Sequence, residues 1–304
     1  VFIERQQAPQ NMSLPQQRQI AISIDDLPVV RCQTLEMRRQ VTDCLVSTLR
    51  LHQIPAIGFV NEQKLGEPEP NPDDVALLET WLDAGLELGN HTYSHPSLFS
   101  TPLEDFKLQV LRGAQVTGRL LSDRGLRLKY FRHPFLNTGP SHDTKDAFEK
   151  FLEREGYTAA PVTVDNSEWI YAHAYDAANM RGDTVLASAI GADYIRYMKN
   201  VLEFYETLSR DLFEREISQV LLIHANQLNA DCLGNLIHMF ERREYKFISL
   251  DAALRDPAYR SADYYIGENG ISWLQRWWIT KGNSFRHEPE VPEWIEEART
   301  DKTG

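Results

Sequence analysis

The apolar positions of this chain fall into short runs of strand length separated by longer stretches of helical period. Gln19-Ile20-Ala21-Ile22-Ser23-Ile24 reads as a buried strand that stops at Asp25-Asp26. From Thr34 to Leu51, Leu35, Val41, Leu45, Val46 and Leu49 recur at helical spacing, with Thr34 suited to the N-cap. Residues 55–60 form a second apolar run, and Pro68, Pro70 and Pro72 mark the loop after it. The spacing predicts a helix over 73–84 closed by Gly85, a short strand over 86–88, a helix over 102–121 and a strand over 128–131. A helix over 143–155 stopped by Gly156 comes next, then strands over 158–164 and 220–223, a helix over 233–243, a strand over 245–248 and a last helix from Leu250 to Leu254.

Strands that alternate with helices imply βαβ units and a parallel sheet. Seven such units suit a closed sheet better than an open one. The expected class is α/β, a distorted (β/α)7 barrel. Residues 1–18, rich in Gln, Pro and Asn, read as an N-terminal arm. Residues 19–262 read as the barrel, and 170–218 as an inserted helical pair or lid with helical spacing from Ala187 to Phe213. Residues 263–304 read as a C-terminal extension. Tyr264, Tyr265, Trp273, Trp277, Trp278 and Trp294 crowd into it, and packing across the barrel is preferred to a sugar-stacking wall because aromatics are mostly core payload.

Composition narrows the picture modestly. The 304 residues carry 44 acidic and 32 basic side chains, a formal charge of −12 that argues against broad nucleic-acid binding. No run approaches the ~18 apolar residues of a membrane span. Residue 1 is Val, so a missing leader pattern does not fix the compartment. Cys32, Cys44 and Cys232 have no metal-type spacing. Cys44 falls in a helical pattern and is expected to be buried; Cys32 and Cys232 are read as loop residues that a bridge could join.

The chemistry gathers at strand ends. Asp25, Asp26, His91, Arg132, Asp165 and His224 each come just after a predicted strand, and in parallel barrels that face carries the active site. His91 and His95 stand four apart, as two imidazoles on one helical turn or tight helical loop would. Zinc proteases place a Glu base inside that spacing; here the position is Thr92, which cannot serve, so a third ligand and a base must come from elsewhere. Taken singly, each residue has a bland reading: the two aspartates as caps, Arg132 as an ion-pair partner, Asp165 as a turn residue, His224 as a core histidine. Their shared location tells against that.

In order, these motifs resemble the polysaccharide deacetylases, carbohydrate esterase family 4, over about Gln19 to Leu254. Ser23-Ile24-Asp25-Asp26-Leu27 is similar to the family's opening Thr-Phe-Asp-Asp-Gly, and His91-Thr92-Tyr93-Ser94-His95 to its His-Ser/Thr-x-x-His. Arg132-His133-Pro134-Phe135, Asp165-Asn166-Ser167-Glu168-Trp169 and Val220-Leu221-Leu222-Ile223-His224 stand for the three later motifs. The resemblance implies Asp25 as catalytic base, Asp26, His91 and His95 as ligands of one divalent metal, and His224 as catalytic acid. It implies that Arg132 steadies Asp25, Glu168 orients His224, the Phe135 amide faces the oxyanion, Trp169 walls the pocket and Leu222 floors it.

The function this resemblance implies is that of a metal-dependent hydrolase removing acetyl groups from N- or O-acetylated carbohydrate. Zinc is the favoured ion, with cobalt, nickel and iron as alternatives. The resemblance also implies a periplasmic or secreted setting. Leu27 in place of Gly would put a bulky side chain beside the metal aspartates, and Glu168 in place of Asp would re-aim the bond to His224. With these departures, two other readings stand beside the first. One is a hydrolase of small acylated molecules or aryl esters, with 170–218 closing the groove. The other is a non-catalytic carbohydrate-binding protein. The oligomeric state is not legible in the sequence.

Overall fold

The computed structural model describes residues 17–32 and 34–300; the N-terminal arm expected over 1–18 therefore lies almost wholly outside the described residues. Seven parallel strands, β1 (Gln19–Leu27), β2 (Ile57–Val60), β3 (Glu87–Asn90), β4 (Tyr130–Phe131), β5 (Thr158–Ala159), β6 (Gln219–His224) and β7 (Lys246–Phe247), form one sheet. Its order is β5-β4-β3-β2-β1-β6, with β7 paired to Gln19 and Ile20 at the start of β1. The sheet curls because the chain just after β5 reaches the far edge: Val164 bridges Leu221 of β6, with Val164 N donating to the Val220 carbonyl and Leu222 N to the Val164 carbonyl. The outcome is the expected α/β barrel, with Ile20, Ile22 and Ile24 of β1 fully buried.

The surrounding helices are α1 (Leu35–Leu51), α2 (Pro72–Asp83), α3 (Leu103–Arg112), α4 (Gln115–Ser122), α5 (His142–Arg154), α6 (Glu168–Met180), α7 (Thr184–Phe213), α8 (Gln227–Arg242), α9 (Leu250–Leu254), α10 (Trp273–Thr280) and α11 (Glu293–Arg299). Thr34 caps α1 through its hydroxyl, and Gly85 (φ +76) comes after α2 in the left-handed region. No described helix is long and apolar enough to cross a membrane.

Several local expectations are corrected. The helix expected over 102–121 is two, α3 and α4, broken at Gly113. A Cβ on Gly113 would lie 2.5 Å from the Thr92 carbonyl carbon, so the break lets the loop carrying His91 and His95 press against the helix. The strand expected over 158–164 is regular only at Thr158–Ala159 and then bends toward β6. Cys232 lies inside α8, not in a loop; Cys44 is half-buried; and all three thiols are free.

Segment 170–218 holds α6 after its first residues and all of α7. These helices pack on each other, on α8, and on α10 and α11 of the C-terminal extension. None of its residues lines the cavity at the strand ends or the groove beside it, so it does not close that site. In the extension, Trp273 and Trp277 are buried, whereas Tyr264 is largely exposed.

Candidate active site

Two adjacent strand residues should point to opposite faces. Asp25 and Asp26 nevertheless reach the same mouth of the barrel. Between Ile24 and Leu27 the pairing with β2 slips: three steps on β1 oppose two on β2, and Asp26 takes φ 71. The bulge turns Asp26 toward the mouth and sends Leu27 inward. Leu27 is fully buried, and its Cδ2 occupies the space where a Cβ on Gly58 would sit, 2.4 Å away. Leu27 therefore does not crowd the aspartates; the missing side chain at Gly58 accommodates it.

The histidine pair is not helical. His91 to His95 is an irregular loop after β3, with Thr92 (φ 67) and His95 (φ 60) in the left-handed region. Side chains hold it there: Asn90 Oδ1 accepts from Thr92 N at 2.8 Å, Thr92 Oγ1 accepts from His95 N at 3.0 Å, and Asn61 Nδ2 donates to the His91 carbonyl at 2.5 Å. Thr92 is thus a loop-building residue. The two rings meet edge to face with centroids 4.7 Å apart.

Asp26 Oδ1 is buried without a hydrogen-bond partner. His91 Nε2 lies 3.8 Å and His95 Nε2 3.7 Å from it. These separations are too long for hydrogen bonds and suit three ligands around one cation at ~2 Å from each. His91 Nδ1 lies 2.8 Å from the Arg132 carbonyl. A carbonyl can only accept, so Nδ1 carries the proton and Nε2 presents its lone pair. Burial, with His95 beside it, holds His91 well below the usual imidazole range, and burial also lowers His95. Lys64 donates to the Asp26 carbonyl at 3.1 Å and sits 3.3 Å from Oδ2, which occupies the other carboxylate oxygen. This donor set fits a divalent metal ion.

Beside it lies Asp25, buried and 3.7 Å from His91 Nε2. The fully buried Arg132 fixes Asp25: Nη1 bonds both carboxylate oxygens at 3.2 and 3.1 Å, Nη2 donates to Ser23 Oγ, and Nε donates to the Ala160 carbonyl. Burial raises Asp25 to about 6 against the pull of Arg132 and His224.

Across the cavity stands His224, in register with Asp25 on the neighbouring strand. Its Nδ1 lies 2.8 Å from Glu168 Oε2. The buried Glu168 carboxylate also accepts from Asn226 Nδ2 and, at 2.7 Å, from Asn229 Nδ2. Tyr194 of α7 donates to Asn229 Oδ1 at 2.8 Å, and Ser167 N donates to Tyr197. The inserted helical pair thus buttresses the carboxylate from behind. Burial alone would lower His224, but the bond and charge of Glu168, with Asp26 and Asp25, raise it to about 9. Asp165 does not serve His224: its Oδ1 accepts from Asn166 N, and burial and Glu288 raise it to about 7.

Phe135 sits with its ring against His95, centroids 4.5 Å apart, and is 59% exposed. Phe135 (φ 55) and Leu136 (φ 53) are consecutive left-handed residues, each costing on the order of 1–2 kcal/mol. Asp25, Asp26, His91, His95, Phe135, Trp169, Leu222 and His224 all line one cavity of about 470 Å³. A neighbouring groove shares Phe135, Leu136, Trp169, Leu222 and His224 and is walled by Ser97, Phe99 and Ser100 and by Glu268, Asn269, Gly270 and Glu288 of the extension.

Spacing and motif alone miss Lys64, Ser23, Asn226, Asn229 and the extension's part in the groove. Ser23 was accessible by strand alternation from Asp25. Asn226 carried a cap signal before α8, which it meets by accepting from Asn229 N.

Comparison with known proteins bears on the family and the fold. Residues 14–159 match the family model for polysaccharide deacetylase. A peptidoglycan-N-acetylglucosamine deacetylase of Bacillus cereus is 23% identical over 177 residues, which are 58% of this chain and 52% of that protein, so the chain spans about half the length of this curated relative. Among solved structures, a peptidoglycan N-acetylglucosamine deacetylase in complex with 4-naphthalen-1-yl-N-oxidanyl-benzamide aligns with TM-score 0.53 and 17% identity over 78% of this chain and 88% of that one, a likeness of fold. A wild-type family 4 pseudoenzyme from Bacillus anthracis aligns with TM-score 0.49 and 16% identity over 79% of this chain and 66% of that one. Over residues 14–159 the chain matches the polysaccharide deacetylase domain, of carbohydrate esterase family 4.

Proposed function

We propose that this protein is a metal-dependent carbohydrate deacetylase that hydrolyses N-acetyl or O-acetyl groups, with N-acetylglucosamine of the peptidoglycan type as the first substrate class to test. One observation carries the reading. The partnerless Asp26 Oδ1 and the Nε2 atoms of His91 and His95 converge beside a buried carboxylate and opposite a carboxylate-backed histidine. A divalent ion held by Asp26, His91 and His95 supplies Lewis-acid polarisation of the acyl oxygen and lowers the pKa of water at the site.

The chain's own residues do the rest. Asp25 removes the proton from the attacking water, and Arg132 keeps that carboxylate aimed and charge-balanced. The Phe135 backbone N–H donates to the developing oxyanion. His224, with Nδ1 committed to Glu168, delivers a proton from Nε2 to the departing nitrogen or oxygen. Trp169 and Leu222 line the sugar-binding wall and floor. The simultaneous presence of base, ligand set and acid in one cavity favours catalysis over a binding-only role. The groove's walls do not include 170–218, which removes the main support for a small-molecule-only substrate.

The test is acetate release from N-acetylglucosamine oligomers, acetylated xylan and an aryl acetate, with protein loaded with zinc, cobalt, nickel or iron and with protein stripped by chelator. Release from a glycan, abolished by chelation and restored by one metal, is expected. Full turnover by the stripped protein would overturn the reading.

A further inference from the structure

The loop that presents Phe135 is a single 3-10 turn (Pro134–Leu136), and its two short backbone bonds, Leu136 N to the His133 carbonyl and Asn137 N to the Pro134 carbonyl, are little to hold two consecutive left-handed residues. What holds it is the C-terminal extension, which lies beyond the 14–159 match. Asn137, buried, donates from Nδ2 to the carbonyls of Gly267 at 3.1 Å and Glu268 at 2.7 Å. The fully buried Arg276 of α10 donates to the Leu136 carbonyl at 3.3 Å and to Thr138 Oγ1 at 2.6 Å. Arg276 is itself locked, with Nε 2.9 Å from Asp263 Oδ2 and its guanidinium 4.5 Å above the Trp273 ring. The extension's backbone also approaches the loop directly. A Cβ built on Gly270 would fall 1.8 Å from the Phe135 carbonyl oxygen and 2.5 Å from the Leu136 carbonyl carbon. Finally, Trp273 N donates to the Val162 carbonyl and Ser272 Oγ to the Thr163 carbonyl, which anchors the extension to the barrel mouth.

We infer that the segment from Asp263 to Arg276 is a working part of the active site: it clamps the 133–138 loop so that the Phe135 amide is held at the oxyanion position. Gly270, Asn137 and Arg276 are positioning residues in this scheme. Arg276 acts through Leu136 and Thr138, Asn137 through the extension's carbonyls, and Gly270 by lacking a side chain. The metal ligands and Asp25 make none of these bonds; the clamped loop meets the ion site only through the Phe135 ring against His95, so the clamp governs chiefly the loop's backbone. For its activity arm the inference rests on the deacetylase reading; for its structural arm it does not.

Gly270→Ala is the sharpest test, because it adds a single methyl against the Phe135 carbonyl. Gly118→Ala, on α4 with open space around it, is the control. Amide hydrogen exchange of a 133–139 peptide, measured without substrate, should quicken roughly tenfold in Gly270→Ala and stay unchanged in the control. Zinc affinity by calorimetry should stay within about twofold, and kcat for acetate release should fall roughly tenfold to a hundredfold with little change in KM. Asn137→Ala, which deletes the two bonds to the extension and one from Gly139 N without adding bulk, should reproduce the pattern. Wild-type exchange and kcat in both variants would overturn the inference. So would loss of zinc binding and of the thermal transition together with activity in both, since the extension would then be holding up the whole fold. A wild-type protein that released no acetate would sink the functional reading but leave the exchange test intact.

Discussion

The two sides of the cavity are built by different means. On the side of Asp25, Asp26, His91 and His95, the backbone does the turning and side chains only brace it: a bulge in β1 turns consecutive aspartates to one mouth, and a left-handed loop, steadied by Asn61 and Asn90, brings two histidines together. On the side of His224, side chains do it: Glu168 is pinned by Asn226 and Asn229, and Asn229 by Tyr194 from a 30-residue helix. The first side lies within the family match and the second outside it. A site can thus keep one half in a compact local motif while the other half depends on a scaffold assembled from distant elements.

If the halves are separable, variants should sort by what they lose. The largest effect is expected from Asp26→Ala or His91→Ala, which should abolish zinc binding in elemental analysis and cut turnover on the order of 10⁴-fold or more. His224→Ala should keep its zinc and lose roughly 10²–10⁴-fold in kcat. Zinc loss in that variant would break the distinction between the sides.

Glu168→Gln tests the acid half by pH. His224 is raised from 6.5 to about 9 by its partner, so the protonated acid, and the stability the pair contributes, are fully present below about 6.5 and are lost as pH rises through about 9. In Glu168→Gln the alkaline limb of the kcat profile should move to lower pH, with zinc retained; an unmoved limb would show that Glu168 does not set the acid. The smallest effect is expected from Asn229→Ala. It removes one of three donors to Glu168 and should cost about tenfold in kcat, read from initial rates at fixed metal loading.

The same division explains what the sequence made legible. Helical spacing in 35–51 and the capping chemistry of Thr34 predict α1 to the residue, because both are local. The alternation of elements predicts the barrel, since βαβ order constrains topology. The helical reading of His91–His95 fails because Asn90, Asn61 and Gly113 shape a loop that no spacing rule describes. Leu27 is misread as a crowding residue because its neighbour Gly58 is thirty-one positions away in the chain and adjacent only across β1 and β2. Lys64, Asn226 and Asn229 carry no periodic signature. Their roles are defined by hydrogen bonds that exist only once the strands have closed.

That closure is narrow, and it ties the shape of the barrel to the proposed proton donor. Val164 and Leu221 meet at a single bridge. Four residues beyond the one stands Glu168, and three beyond the other stands His224, so the imidazole–carboxylate bond rivets the two lips of the seam a short way above their last backbone contact. Any breathing of the seam draws the acid from its partner, and any weakening of that rivet frees the seam to open. The histidine proposed as the proton donor is therefore also one that keeps the cylinder shut.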